Sequence, residues 1–299
     1  ALTGEIGLRY DFTDNVQAYG RYARGYKGRG IDVGFGAPDD VEPIEAETSD
    51  AFELGLKSVL ANGNLVLNIA AFHTEYQDFQ EQATVLLTGD DDILSAESRL
   101  TNVGSVTTTG IEIETIATPT DTLTLQGGIS YTDAAIDEFS NAGCFFGQTE
   151  AQGCVPVTLS NGGTPGDPSD DIVQNLQDLS GGELPNAPDW RLTGSVRQEI
   201  PLAASFDGFV QASGRWQSSV NYSLNGDPRA EQDGFAILNL AVGISDDDGR
   251  YTASVFVNNV FDEFYANSIF GDPLYGGVVS HYVARDFQRY AGARLSANF

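Results

Sequence analysis

Apolar and polar residues alternate along most of this chain, in runs separated by turn residues, and a period of two predicts strands with one apolar and one polar face. The last run is the most regular. In Arg289-Tyr-Ala-Gly-Ala-Arg-Leu-Ser-Ala-Asn-Phe299, Ala291, Ala293, Leu295, Ala297 and Phe299 take one face and Tyr290, Gly292, Arg294, Ser296 and Asn298 the other. Ten earlier runs behave alike. The first sets Leu2, Ile6, Leu8, Tyr10 and Phe12 against Thr3, Glu5, Arg9 and Asp11, and the tenth sets Tyr251, Ala253, Val255 and Val257 against Thr252, Ser254 and Asn258. The fourth, from Leu65 towards Phe79, changes phase near Ala70, which predicts a bulge. The fifth is expected over roughly 98–117.

The connections alternate in length. Short turns fall near 13, 62, 119, 203 and 248, and long ones near 37, 90, 164, 228 and 275. Residues 27–47, 83–97 and 140–188 read as loops, as does the stretch from about 266 to the closing strand. Short turns at one end of a sheet and long loops at the other fit an antiparallel transmembrane β-barrel of the outer-membrane type. Glu112, Glu114, Arg191, Arg197, Arg215 and Arg294 fall on polar faces, which a dry core does not tolerate and a wet lumen does. Eleven strands is an odd count, and counting back from a descending last strand predicts the C-terminal half of a 22-stranded barrel, the kind with a plugged lumen. Because Ala1 is not an initiator and the first strand starts at once, a neighbouring strand and a plug are expected to precede it.

Composition sharpens this picture. No apolar run approaches the ~20 residues of a membrane helix. Forty-three acidic residues against fifteen basic ones give a net charge of −28, which argues against a nucleic-acid partner. The charge fits either a solvated surface or an acidic vestibule for cationic solutes or divalent metal.

Several stretches resemble TonB-dependent outer-membrane receptors. They are Tyr22-Ala-Arg-Gly-Tyr-Lys-Gly28, Glu42-Pro-Ile-Glu45 with Phe52-Glu-Leu-Gly-Leu-Lys-Ser58, Ala71-Phe-His-Thr-Glu-Tyr-Gln-Asp-Phe-Gln80, Asn102-Val-Gly104 with Thr109-Gly-Ile-Glu112, Val257-Asn-Asn-Val-Phe-Asp-Glu263, and the closing strand. Gln288-Arg289 stands where that family usually carries Pro-Arg. The resemblance implies import of a large scarce nutrient, a ferric siderophore first and cobalamin or a glycan otherwise, powered by a TonB-type partner through an N-terminal region. A passive porin and a soluble structural or adhesive β-protein are the competing readings. The resemblance also implies contact with outer-membrane lipid and, through Phe299, with the outer-membrane insertion machinery.

Cys144 and Cys154 share the longest loop, placed outside the cell, where an oxidising compartment favours a disulfide. A metal pair is the alternative, with no His or further Cys nearby to complete it. The runs Asp90–Asp92, Asp167–Asp171 and Asp246–Asp248 lack the spacing of a calcium loop. His73 and His281 stand far apart, and no nucleophile elbow, phosphate-cradling loop or zinc pair is present, so no enzymatic activity, cofactor or metal site is expected. Tyr10, Phe12, Trp190, Phe209, Tyr222, Phe235, Tyr251 and Phe264 are candidates for interfacial girdles. Tyr26, Lys27, Arg29, Tyr222, Tyr265 and Tyr275, at or near the long loops, are candidates for contact with cargo.

Overall fold

The computed structural model describes residues 1–31, 43–88, 94–160, 172–203, 205–246, 248–272, 277–285 and 287–298. Eleven strands form one antiparallel sheet in chain order. They are β1 (Gly4–Thr13), β2 (Val16–Lys27), β3 (Glu47–Leu60), β4 (Leu65–Thr88), β5 (Leu94–Thr120), β6 (Leu123–Glu138), β7 (Trp190–Ala203), β8 (Phe206–Gln217), β9 (Phe235–Asp246), β10 (Tyr251–Asn258) and β11 (Tyr290–Ala297). Each pairs with the next, and β1 and β11 form the two edges of the sheet.

Two expectations are corrected. Registers of β4 against β3 and β5 run through Ala70 without a slip, from Leu56↔Ile69 to Leu54↔Ala71 and from Ile69↔Ile113 to Ala71↔Ile111. The irregularities lie elsewhere: Asp78 takes a positive φ of 53°, and the β5–β6 register shifts between Ser105 and Val106. Nor are residues 83–97 wholly a loop, because β4 and β5 stay paired up to Thr88↔Leu94. Backbone pairing needs no alternation of side chains, so a ladder outlasts the pattern that predicts it.

One face of the sheet is apolar and open. Leu8, Leu54 and Leu295 are 82%, 69% and 84% exposed, and Ile111, Ile129, Val196, Val242 and Val255 continue the surface. A soluble domain does not leave so large a continuous apolar face bare. Aromatic pairs lie toward both ends of it, Tyr22–Phe52 and Tyr131–Trp190 near the long connections and Tyr10–Phe12 near the short ones. Among the described residues no helix is long and apolar enough to cross a membrane.

The other face is polar and repeats a packing device. Tyr19, Phe72, Phe209 and Phe256 each stand directly across from a glycine, namely Gly55, Gly110, Gly243 and Gly292. Each ring lies over that glycine where a β-carbon would collide with it. At Gly243 a β-carbon would also meet the Ala253 carbonyl oxygen at 2.5 Å. A ring covering the opposite glycine shields its backbone and keeps the ring flat against the wall.

Buried clusters sit where the long connections meet the wall. Val103, Val106 and Ile136 form one with Phe139, Leu179 and Leu184, and Phe235, Ile237 and Tyr265 another with Ala284 and Phe287. The long connections carry strands of their own: Ala142–Gly143, Val155–Ser160 and Ile172–Gln177 form a three-stranded sheet, and Ala266–Asp272 pairs with Val278–Val283 in the last connection.

Candidate functional site

Among the described residues, charge converges on the polar face and on the connections at its long-loop end. On β2–β5, Tyr19 donates to Glu53 at 2.6 Å and Arg21 donates to the same carboxylate at 2.8 Å. Lys57 lies 5.5 Å from the Tyr19 ring centre, and Glu112 and Glu114 line the same recess. On β7–β11 the charges are arginines on rings: Arg197 lies 3.9 Å from the Phe209 centroid, Arg215 4.9 Å from Tyr265, and Arg294 5.8 Å from Phe256. The six charged residues read from the sequence as lumenal therefore share one face.

Three long connections are fastened to one another at its end. Arg229 pairs with the buried Asp227 at 2.7 Å and donates to the carbonyls of Phe146 and Gly277 at 3.1 and 2.8 Å, so it joins the β6–β7, β8–β9 and β10–β11 connections. Gly277 has a φ of 74°, and a β-carbon there would strike both the Arg229 guanidinium and the Phe146 ring. The Asp227 carboxylate raises the Arg229 pKa above its ordinary value by hydrogen bonding. Gln177, also buried, donates to Gly143 and Asn225 carbonyls, both at 2.9 Å. Cys144 and Cys154 are joined in a disulfide with Cα atoms 5.8 Å apart, which closes the turn that carries Phe146. Hydrogen bonds from Ser180 hold Asp178 below the usual carboxylate range.

The predicted contact residues have separate fates. Tyr26 is exposed at the end of β2. Lys27 lies 3.7 Å from Glu47 and donates to the Gln80 carbonyl, and Arg29 pairs with Glu45, so both cations have partners inside the protein. Tyr222 donates to the Ala266 carbonyl at 3.0 Å and packs on Ala230 and Ile269, and burial pushes its phenol pKa up. Tyr265 is only 5% exposed and stacks on Phe235 at 4.8 Å beneath Arg215. Both tyrosines thus serve the junction of loops and wall. Tyr275 and Phe299 lie outside the described residues. Of the girdle candidates, Phe209 and Phe235 are buried on the polar face. Among the acidic runs, Arg250 sits between Asp246 and Asp248, at 3.7 and 2.8 Å, while the runs at 90–92 and 167–171 lie outside the described residues. Among the described residues no cluster of three His, Cys, Asp or Glu is placed to hold a metal ion.

Arg229, Asp227 and Gln177 carry no sequence signature, since Arg229 and Gln177 donate to backbone carbonyls and the Asp227 carboxylate accepts from Arg229 alone. Two motif segments acquire a structural reason. Asn102 accepts from the Glu45 amide at 2.8 Å and donates to the Asp78 carbonyl at 2.7 Å, and Gln80 donates to the Gly28 and Glu45 carbonyls. Asn259 is 2% exposed and donates to the Glu263 and Phe287 carbonyls, both at 2.8 Å.

The family model described as TonB dependent receptor-like β-barrel matches residues 1–260. The chain belongs to that family. The apolar face is accordingly the outer surface of a TonB-dependent receptor barrel, the polar face its lumen, and the family is one of the outer membrane. The pesticin receptor of Yersinia enterocolitica is 32% identical over 113 residues, 38% of this chain and 15% of that protein. In fold the chain is similar to the ferric yersiniabactin uptake receptor FyuA from Yersinia pestis, with a TM-score of 0.71 and 20% identity over 99% of this chain and 37% of that one. The siderophore receptor PiuA from Acinetobacter baumannii gives 0.62 at 18% identity, covering 98% of this chain and 35% of that one. The chain therefore spans little more than a third of the length of these solved receptors.

Proposed function

We propose that this wall belongs to an active importer of a ferric siderophore, energised by a TonB-type protein. The observation that carries the reading is the likeness of nearly the whole chain to the fold of a ferric yersiniabactin uptake receptor, beside its sequence similarity to the pesticin receptor. The polar lumenal face and the interlocked connections at its end support it. On this reading the long connections face outside the cell and the short turns the periplasm, while the open apolar face meets outer-membrane lipid. The barrel has 22 strands in all and holds a plug, through which the TonB-type partner acts. Phe299 is read by the outer-membrane insertion machinery. The work is transport, without catalysis.

Deleting the gene in its host and restoring the intact receptor tests this reading. Under iron limitation, growth on at least one ferric siderophore from a panel is expected to fail in the deletion strain and return on complementation. Unchanged growth on every iron source contradicts it, and a defect confined to cobalamin or glycans moves the cargo to that class.

A further inference from the structure

The apolar outer face is not smooth. Near the short turns it dips into a hollow of about 340 Å³ over β10, floored by Ala253 and Ala297 and walled by Phe206 and Ile244 on one side and Leu295 on the other. The register sets these residues together: Ala253 stands opposite Ile244 on β9 and Leu295 on β11, and Ala297 stands opposite Tyr251. Floor and both walls therefore belong to β8–β11 themselves. Two alanines among large side chains leave the hollow, and Tyr251 closes the end nearest the turn. On a membrane-facing surface an empty hollow forfeits dispersion contacts, so an apolar chain fills it.

At that end stands the β9–β10 turn, Asp246-Asp247-Asp248-Gly249-Arg250. It differs from the other short turns, since residues 13–16, 60–65, 120–123 and 203–206 contain no Lys or Arg. Its frame is fixed. Asp246 accepts from the Tyr251 amide at 2.7 Å, and Gly249 takes a φ of 65°. Just past β11, Asn298 donates its backbone amide to the Arg250 carbonyl at 2.9 Å and its side-chain amide to the Gly249 carbonyl at 3.2 Å. On this frame Arg250 and Asp248 pair at 2.8 Å with their side chains 61% and 68% exposed. An ion pair so exposed adds little to stability, which leaves both groups open to exchange with an outside partner. A zwitterionic headgroup matches them, its phosphate on the guanidinium and its ammonium on the carboxylate. Three carboxylates to one guanidinium disfavour a headgroup that is only anionic.

We infer that hollow and turn together bind one zwitterionic phospholipid of the phosphatidylethanolamine kind. An acyl chain lies over Ala253 and Ala297, the phosphate meets Arg250 and the ammonium meets Asp248. That the lipid comes from the phospholipid leaflet rests on the reading that the short turns face the periplasm; the headgroup preference rests on the turn.

Native mass spectrometry of the purified intact receptor, equilibrated with an equal mixture of phosphatidylethanolamine and phosphatidylglycerol, tests it. One phosphatidylethanolamine is expected to stay bound as detergent is stripped, in roughly tenfold excess over phosphatidylglycerol, the ratio that one charged hydrogen bond supplies. A253F, which fills the hollow, should abolish retention. D248N/R250Q, on an exposed turn, should bring the two lipids to equal retention. A212F, on the same outer face but paired at Val196 and Leu240, should behave as wild type. Equal retention of both lipids by wild type, undiminished retention in A253F, or a preference that survives D248N/R250Q overturns the inference. So does a loss in A212F as large as in A253F, since the lipid would then be held by the whole outer face. N62C, in another short turn, separates this site from the orientation: it should react with an impermeant maleimide only after the outer membrane is opened. Reaction on intact cells overturns the phospholipid as native occupant even where the headgroup preference holds. A failed preference with N62C protected overturns the site and leaves the orientation standing.

Discussion

Asn259 shows how much of the outer structure hangs on single buried polar side chains. Its backbone sits at a φ of 48°, its amide nitrogen donates to two carbonyls, and its side-chain oxygen accepts from the Glu263 amide at 2.9 Å. Asn259→Ala leaves all three partners without their side-chain bond and puts a β-carbon residue in a left-handed conformation that Asn tolerates better. The expected loss is about 3 kcal/mol, read as faster amide exchange at 259–265 in the folded receptor. Tyr222 gives a pH test. Burial raises its folded pKa, so its contribution is complete below the unfolded phenol value of ~10 and is lost as pH rises through the folded value. Absorbance titration should show one late-ionising phenol fewer in Tyr222→Phe than in wild type, and that variant should lose about 1 kcal/mol with the hydrogen bond to Ala266. An unchanged number of late-ionising phenols in Tyr222→Phe contradicts the assignment.

At the scale of elements, the three connections above β6–β11 should behave as one unit, because Arg229 touches all of them. Arg229→Met leaves the Asp227 carboxylate buried without its cation, a change that costs about 3 to 5 kcal/mol in buried pairs. Hydrogen exchange should rise together at 143–148 and 277–285 while β7 and β8 keep their protection. A rise confined to 227–232 would mean the connections move separately. Reducing the Cys144–Cys154 disulfide should loosen the same unit by about 2 to 3 kcal/mol.

The alternating pattern located the eleven strands because one face of each is apolar and the other polar. It failed where that difference ends. Above the apolar band the β4–β5 backbone ladder continues where the sequence no longer alternates, so residues 83–97 read as loop. The lumenal arginines were legible by their place in the alternation. Arg229 was not, because the carbonyls it binds lie 83 and 48 positions away in sequence. Lys27 and Arg29 stood out as free loop cations, and their partners Glu47 and Glu45 became visible only when β2 and β3 were paired.

At the scale of the molecule, the outer face of the wall is apolar, and the polar face changes from a stretch of mixed charge on β2–β5, where Arg21 and Lys57 stand with Glu53, Glu112 and Glu114, to a basic, ring-supported one on β7–β11. The rings seated over glycines leave no room for a side chain there, and Gly243→Val should displace Phe209 and Arg197 and lower the melting temperature of the receptor.

The central claim is tested most directly by uptake of radiolabelled ferric siderophore into cells whose only outer-membrane iron receptor is the intact form of this protein. The account predicts saturable uptake that stops when the proton gradient is collapsed or the TonB-type partner is deleted. Uptake that persists at the same rate in de-energised cells would make the wall a passive pore and contradict it.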